Sequence, residues 1–389
     1  MRFESPACLQ AGVVFSFQYF PGCKQPGLSK HSLDYWFNSI QHVRMNIIRW
    51  GIIGCGDVTE VKSGPAFQKA RGSELVAVMR RNGELAADYA RRHHVPRWYD
   101  DADALINDAA VDAVYIATPP GVHLEMALKV AAAGKPAYVE KPMARNHREC
   151  REMVAAFERA KLPLFVAYYR RALPRFVKAK ELIDAGQLGQ ITGVNYRQSS
   201  AAHANLDPRN IPWRLDAAHA GAGLFLDVGS HTLDVLDYLL GPLVDYAGLA
   251  ANLASPHAVE DSVVMHFRTP GDAVGSAAWN FASAVHEDVL EITGTDGRIA
   301  MSVFGNDPVR LIGFKGETQF DLPNPPHVHQ PLVQLMVDEL LGVGRCPSTG
   351  VSAARTSAVM DAALAGYYRG REDDFWERPG TWAKSAVSR

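Results

Sequence analysis

Short apolar runs alternate with helical patterns over the first part of the chain that carries a clear periodicity. Asn46–Ile53 (NIIRWGII) is apolar and partly β-branched, the pattern of a buried strand. Val58–Lys69 reads as a helix, Glu74–Met79 as a second strand, Glu84–His93 as an Ala-rich amphipathic helix and Asp103–Asn107 as a short one. Ala113–Ala117 is a strand, Leu124–Ala133 a helix closed by Gly134, and Ala137–Val139 another strand. Helix Arg148–Ala160 and strand Pro163–Tyr168 complete the series. No hairpin signal interrupts it. This alternation predicts βαβ units and a parallel sheet with helices on both faces, an α/β architecture that binds ligands at the carboxyl ends of its strands.

Beyond residue 168 the pattern changes. A helix at Arg175–Ala185 leads through Gly186 and Gly189 to a strand at Ile191–Ser199, and a Gly-rich stretch precedes a helix at His231–Leu240. Strand-like runs follow at Tyr246–Asn252, Asp261–Thr269, Ala273–Phe281, Asp288–Thr293 and Arg298–Val303, the last two joined by the turn sequence Thr295-Asp296-Gly297. Val328–Leu341 and Val351–Tyr367 read as late helices. The second half is therefore expected to be α+β with a largely antiparallel sheet, and the boundaries fall at 45–167 and 168–389.

Residues 1–44 do not share either pattern. They carry four basic residues against two acidic ones, and Pro6, Pro21 and Pro26 break any steady period. Three readings compete for this leader: an upstream stretch before the true initiator Met45, a signal peptide, or an accessory arm. The first is preferred, because Glu4, Gln10 and Gln18 spoil a signal sequence. The 389 residues carry 40 basic against 42 acidic side chains. That balance argues against a nucleic-acid partner held by bulk charge. No apolar run is long enough for a membrane span. The five cysteines are scattered without metal spacing or a disulfide framework, which suits a reducing, cytoplasmic setting.

The candidate chemistry begins at Gly54-Cys55-Gly56-Asp57-Val58, where the first strand meets the first helix. Gly54 permits the tight turn, and Gly56 lets a pyrophosphate approach the backbone at the helix start. Thr59 occupies the third glycine position, so the G-x-G-x-x-G fingerprint is incomplete. Strand two ends in Arg80-Arg81 and offers no acid to hold two ribose hydroxyls. Two guanidinium forks suit a 2′-phosphate instead, so NADP is expected over NAD. Hydride transfer to or from a nicotinamide is paired with proton transfer at the substrate oxygen, which demands a positioned acid or base near the strand ends. Glu140-Lys141-Pro142 follows a strand, and Asp227 and His231, four apart at a helix start, can point to one side. His327-x-His329 lacks a third ligand and reads as capping or surface histidines, so no metal is expected.

These motifs together resemble the Gfo/Idh/MocA oxidoreductase family, from Met45 to about Tyr367. The resemblance rests on the glycine loop, Thr118-Pro119-Pro120-x-x-His123, Glu140-Lys141-Pro142 and the Gly-rich Asp227-x-x-x-His231 run. It implies a Rossmann dinucleotide-binding domain followed by a substrate-binding and oligomerisation domain with an open, mostly antiparallel sheet. It implies that Lys141 contacts nicotinamide ribose and substrate, that His231 exchanges a proton, and that Asp227 orients the substrate or the histidine. Thr118, Pro119, His123 and Glu140 would lie at the cofactor, and Tyr168, Arg170, Trp213 and Arg214 at the substrate. Among relatives it is most similar to sugar dehydrogenases and reductases and to dihydrodiol dehydrogenases, with a homo-oligomer, dimer or tetramer, expected. Lys141 and His231 both stay open as the main acid or base, as do the substrate and the direction of reaction. Two rival readings are a non-catalytic ligand-sensing regulator of the same fold and a glycosidase using a tightly held NAD.

Overall fold

The structure is a computed structural model and describes residues 47–201, 206–207 and 209–383. The readings of the leader lie outside the described residues.

Six parallel strands form the first sheet: β1 (Ile48–Ile53), β2 (Ser73–Met79), β3 (Arg97–Tyr99), β4 (Ala113–Ile116), β5 (Ala137–Val139) and β6 (Leu164–Val166). Their order is β3-β2-β1-β4-β5-β6, so the strand order reverses between β1 and β4 and opens a crevice at their carboxyl ends. The strands are buried on both faces, as their unbroken apolar runs require. The helices between them are α1 (Asp57–Val61), α2 (Gly64–Lys69), α3 (Gly83–Arg92), α4 (Ala102–Ile106), α5 (His123–Ala132) and α6 (His147–Ala160).

The single helix expected over 58–69 is divided into α1 and α2. Pro65 sits in the first turn of α2 and lacks the N–H that a continuous helix would need there. Strand β3, for which the pattern held no signal, is a three-residue edge strand. Its short Arg97-Trp98-Tyr99 run shows no alternation long enough to read.

Helices α7 (Pro174–Asp184), α8 (Ala217–Ala220) and α9 (Ser230–Leu240) accompany the second sheet. Its strands are β7 (Ile191–Ser199), β8 (Val244–Ala251), β9 (Ser262–Arg268), β10 (Val274–Asn280), β11 (Glu287–Gly294), β12 (Gly297–Met301), β13 (Val309–Gly313) and β14 (Gly316–Phe320). The order is β14-β13-β12-β11-β7-β10-β9-β8, antiparallel except where β7 pairs with β10. The unforeseen hairpin β13–β14 closes one side of the sheet: β14 is an exposed, polar edge strand, and β13 is five residues long, too short for its apolar residues to set a period.

The last two helices, α10 (Gln330–Leu340) and α11 (Gly350–Tyr368), return to the first sheet. Leu332, Val333, Met336 and Val337 of α10 pack with Trp50, Ile52, Phe67 and Tyr138. Ala353 and Ala354 of α11 join the core around Val114, Ile116 and Phe157, while Val359, Met360 and Leu364 join the core of the second sheet. Helix α11 is thus buried on most of its circumference and belongs to both cores.

Candidate active site

The β1 strand delivers the chain into a turn that only glycine takes easily. Gly54 has φ +88°, and a Cβ on it would lie 2.9 Å from the Thr118 methyl and 3.0 Å from the Ala117 carbonyl oxygen. The amides of Gly54 and Cys55 both donate to Met79 O, tying the loop to the end of β2. Thr59 then closes the loop. Its hydroxyl accepts the Gly56 amide at 2.9 Å and donates to the Gly56 carbonyl at 2.8 Å. The amides of Asp57 and Val58 begin α1 and have no intrahelical acceptor.

A cavity of about 670 Å³ opens over this loop at the carboxyl ends of the strands. Gly54, Gly56, Asp57, Val58, Arg80, Thr118, Pro119, Glu140 and Lys141 line one part of it, and Trp213, Arg214, Asp227 and His231 another. So the glycine loop and the three residues expected to carry chemistry share one space. A dinucleotide fits these groups. The backbone at Gly56 is open, with nothing nearer than 3.9 Å to a Cβ placed there, and Thr118 Oγ1 is buried without a hydrogen-bond partner among the described residues. Arg80 follows the last residue of β2, is exposed, and forms no ion pair among the described residues.

Lys141 sits beyond β5, where the Lys141–Pro142 peptide is cis. Its ammonium donates to the Asp227 carboxylate and to the Asp227 carbonyl at 3.0 Å. Asp227 comes from a π-helical turn, Phe225–Gly229, that runs directly into α9. Burial would push its carboxyl up, but Lys141 and then Arg214, whose Nε lies 3.8 Å away, outweigh it and hold the group below the usual range. Glu140 is buried, and burial pushes its carboxyl up against the hydrogen bond from Tyr115 and the charge of Lys141.

His231 lines the cavity while only 4% exposed. The rings of Tyr168, Tyr169 and Phe304 meet it edge-on at 6.0, 5.3 and 5.9 Å. Burial, then the charges of Arg170 and Lys141, drive its pKa far below that of an ordinary histidine, so the ring is neutral. Its Nδ1 is buried and has no partner among the described residues.

Five residues expected at the site lie against it but do not line the cavity. Cys55 is buried in the core beneath the loop, and Arg81 is exposed and does not line the cavity. His123 is fully buried with both nitrogens engaged: Nε2 with Thr118 O at 2.7 Å, Nδ1 with Pro142 O and Met143 O at 3.2 Å. It therefore pins the Thr118 loop to the Lys141 loop from behind. Tyr168 and Arg170 lie behind the cavity wall; Arg170 donates to Val303 O at 3.1 Å and stacks on Phe304. Their neighbour Tyr169 is the residue of that segment that lines the cavity.

Lys62 and His329 also line the cavity and escaped the sequence pattern. His329 reads as a cap because α10 follows it. In the structure it is buried, hydrogen-bonded through Nδ1 to Tyr138 OH at 2.9 Å, with its ring tilted against that of Tyr169 at 4.5 Å. Burial, then Lys62 and Lys141, lower its pKa to about 3. Nothing in its local spacing announces that α10 returns to the first sheet. Among the described residues, no group of three His, Cys, Asp or Glu side chains is placed to hold a metal ion, and no helix is long and apolar enough to cross a membrane.

Comparison with known proteins gives this geometry a context. Residues 48–168 match a family described as an oxidoreductase family with an NAD-binding Rossmann fold, and residues 176–300 match the GFO/IDH/MocA C-terminal domain. Oxidoreductase P35 of Formosa agariphila is 36% identical over 322 residues, covering 81% of this chain and 97% of that protein. A 1,5-anhydro-D-fructose reductase of Ensifer adhaerens is 28% identical over 82% of this chain and 97% of its own length. The fold is also that of a levoglucosan dehydrogenase solved with NADH and levoglucosan. That match has a TM-score of 0.72 and 24% identity, over 82% of this chain and 96% of that one.

Proposed function

The chain belongs to the GFO/IDH/MocA oxidoreductase family, and on that premise we propose that it moves a hydride between a nicotinamide dinucleotide, NADP in preference to NAD, and a sugar, polyol or related cyclic alcohol or ketone. The observation that carries the reading is the shared cavity in which Lys141, Asp227 and His231 face the Gly54–Val58 loop. The similar proteins named above for anhydrofructose and levoglucosan support a sugar-like substrate.

The bound dinucleotide supplies the hydride acceptor or donor, and the chain's own residues do the rest. Gly54, Gly56 and the amides of Asp57 and Val58 would hold its pyrophosphate, with Thr118 and Pro119 beside it. The Lys141 ammonium, fixed by Asp227, is a hydrogen-bond donor to the reacting substrate oxygen and stabilises negative charge developing there. His231 is the neutral imidazole that accepts the hydroxyl proton in oxidation and returns it in reduction. Asp227 orients Lys141, whose ammonium donates to its carboxylate and its carbonyl. Trp213 and Arg214 close the substrate end. NADP preference is supported by Arg80 at the tip of β2 with no acid partner, a site for a 2′-phosphate. A homo-oligomer is supported by apolar side chains on the solvent side of the second sheet, Leu249, Val264 and Val274.

The test is a spectrophotometric screen of purified protein with NADP⁺ and NAD⁺ against sugars and polyols. Turnover with NADP⁺ exceeding that with NAD⁺, and at least a tenfold loss of that preference in Arg80→Ala, is expected, about the value of one charge-assisted contact. A preference for NAD⁺ unaffected by Arg80→Ala would overturn the NADP assignment.

A further inference from the structure

The cavity is lined by four basic side chains, Lys62, Arg80, Lys141 and Arg214, against three acidic ones, Asp57, Glu140 and Asp227. Lys141 and Arg214 both answer to a single carboxylate, Asp227. Glu140 is turned back onto Tyr115 and buried. Lys62 lines the same cavity and forms no ion pair among the described residues. Its backbone is pinned there rather than free: the Lys62 carbonyl accepts the His329 amide at 3.3 Å, and the Val61 carbonyl accepts from the His327 ring at 2.7 Å. After burial itself, the cations around the two cavity histidines, Lys62 and Lys141 among them, are what depress both imidazoles.

An oxidised nicotinamide adds a further positive charge to this space. A cleft of one sign with low-dielectric walls focuses its field and favours a ligand of opposite sign. The dinucleotide's own phosphates answer charge at the glycine loop and at Arg80, so it is at the nicotinamide end that a neutral sugar leaves the excess unanswered. A carboxylate answers it in the geometry available, since a guanidinium offers a planar fork and an ammonium a point charge. Resting on the sugar-oxidoreductase reading above, we propose that the substrate is a sugar derivative bearing a carboxylate, such as a uronic acid, and that Lys62 with Arg214 binds that carboxylate.

The experiment compares D-glucuronate with D-glucose, D-galacturonate with D-galactose and D-mannuronate with D-mannose, at saturating cofactor and low ionic strength. The readouts are kcat/KM and calorimetric binding to the cofactor-loaded protein. The acid is expected to exceed its neutral partner at least tenfold in kcat/KM in one or more pairs, through KM rather than kcat. Lys62→Gln should cut that acid-to-neutral ratio about tenfold, the scale of one charge-assisted contact, and Lys62→Glu should invert it. Equal or greater turnover of the neutral sugars by the unaltered protein would overturn the inference while leaving the oxidoreductase reading intact. So would a Lys62→Gln protein that keeps the acid-to-neutral ratio but loses affinity for NADPH, because Lys62 would then serve the cofactor. Absence of both turnover and binding in every pair would overturn the inference, and absence of turnover across the wider screen of sugars and polyols as well would contradict the oxidoreductase reading itself.

Discussion

His231 and His329 are imidazoles held neutral by their surroundings, and this sets a pH signature. Burial is the larger cause and nearby cations the next, and His329 is held at about 3. Both folded pKa values lie below the unfolded value of about 6.5. Below about pH 6.5 the unfolded chain therefore binds protons that the fold refuses, and stability falls with pH by about 1.4 kcal/mol per unit for each histidine. Their contribution is fully present above that pH and is lost as pH falls toward the folded values. Denaturant titrations at about pH 7 and pH 5 should show this loss, and His329→Gln should remove about one proton from the slope. The same argument predicts a kcat/KM profile without the inflection near pH 6.5 that an ordinary catalytic histidine gives. Residue identity in Lys141, Asp227 and His231 was legible in the sequence because each stands in a motif of characteristic spacing. Lys62 and His329 were not: Lys62 follows a five-residue helix too short to set a face, and His329 is brought to the cavity by the packing of a returning helix.

At the scale of the element, the glycine loop shows how an incomplete fingerprint can still be closed. The third glycine of the pattern allows a helix to sit close on the strand. Here Thr59 bonds the loop to itself, and the close approach falls at Gly64, where a Cβ would lie 2.2 Å from Thr59 O and 2.4 Å from Tyr89 OH. Gly64→Ala is expected to destabilise the protein by about 1–3 kcal/mol through overpacking and to raise the KM for the cofactor. Gly366→Ala is the control. It lies within α11 with nothing inside 4 Å of the added atom, and should stabilise by about 0.5–1 kcal/mol. Thermal or denaturant unfolding of the two variants gives opposite signs if packing decides. The helices and central strands were legible because their periods are strong. The division of 57–69 at Pro65, the edge strands β3 and β14 and the short strand β13 beside β14 were not, since short or solvent-facing segments carry no apolar period.

The whole molecule is held together by its last helices. The first sheet is covered on one side by Leu332, Val333, Met336 and Val337, residues that arrive more than 160 positions after β6. Helix α11 contributes to the cores of both sheets. Met336→Ala, at a fully buried position, should cost about 2–5 kcal/mol. It should lower a single unfolding transition reported equally by probes in either sheet, because the shared helices couple them. Two separate transitions would contradict that coupling. The change from a parallel to an antiparallel sheet was legible near residue 168 in the change of pattern. The return of α10 and α11 was not, because periodicity tells that a helix has an apolar face but not which sheet covers it.

The account stands most directly on Lys141. In Lys141→Ala, NADPH should still bind, measured by its fluorescence, while kcat/KM with the best substrate of the screen falls about 10²–10⁴-fold, as expected for a group that acts at the reacting oxygen. Unchanged turnover in that variant would contradict the catalytic site described above.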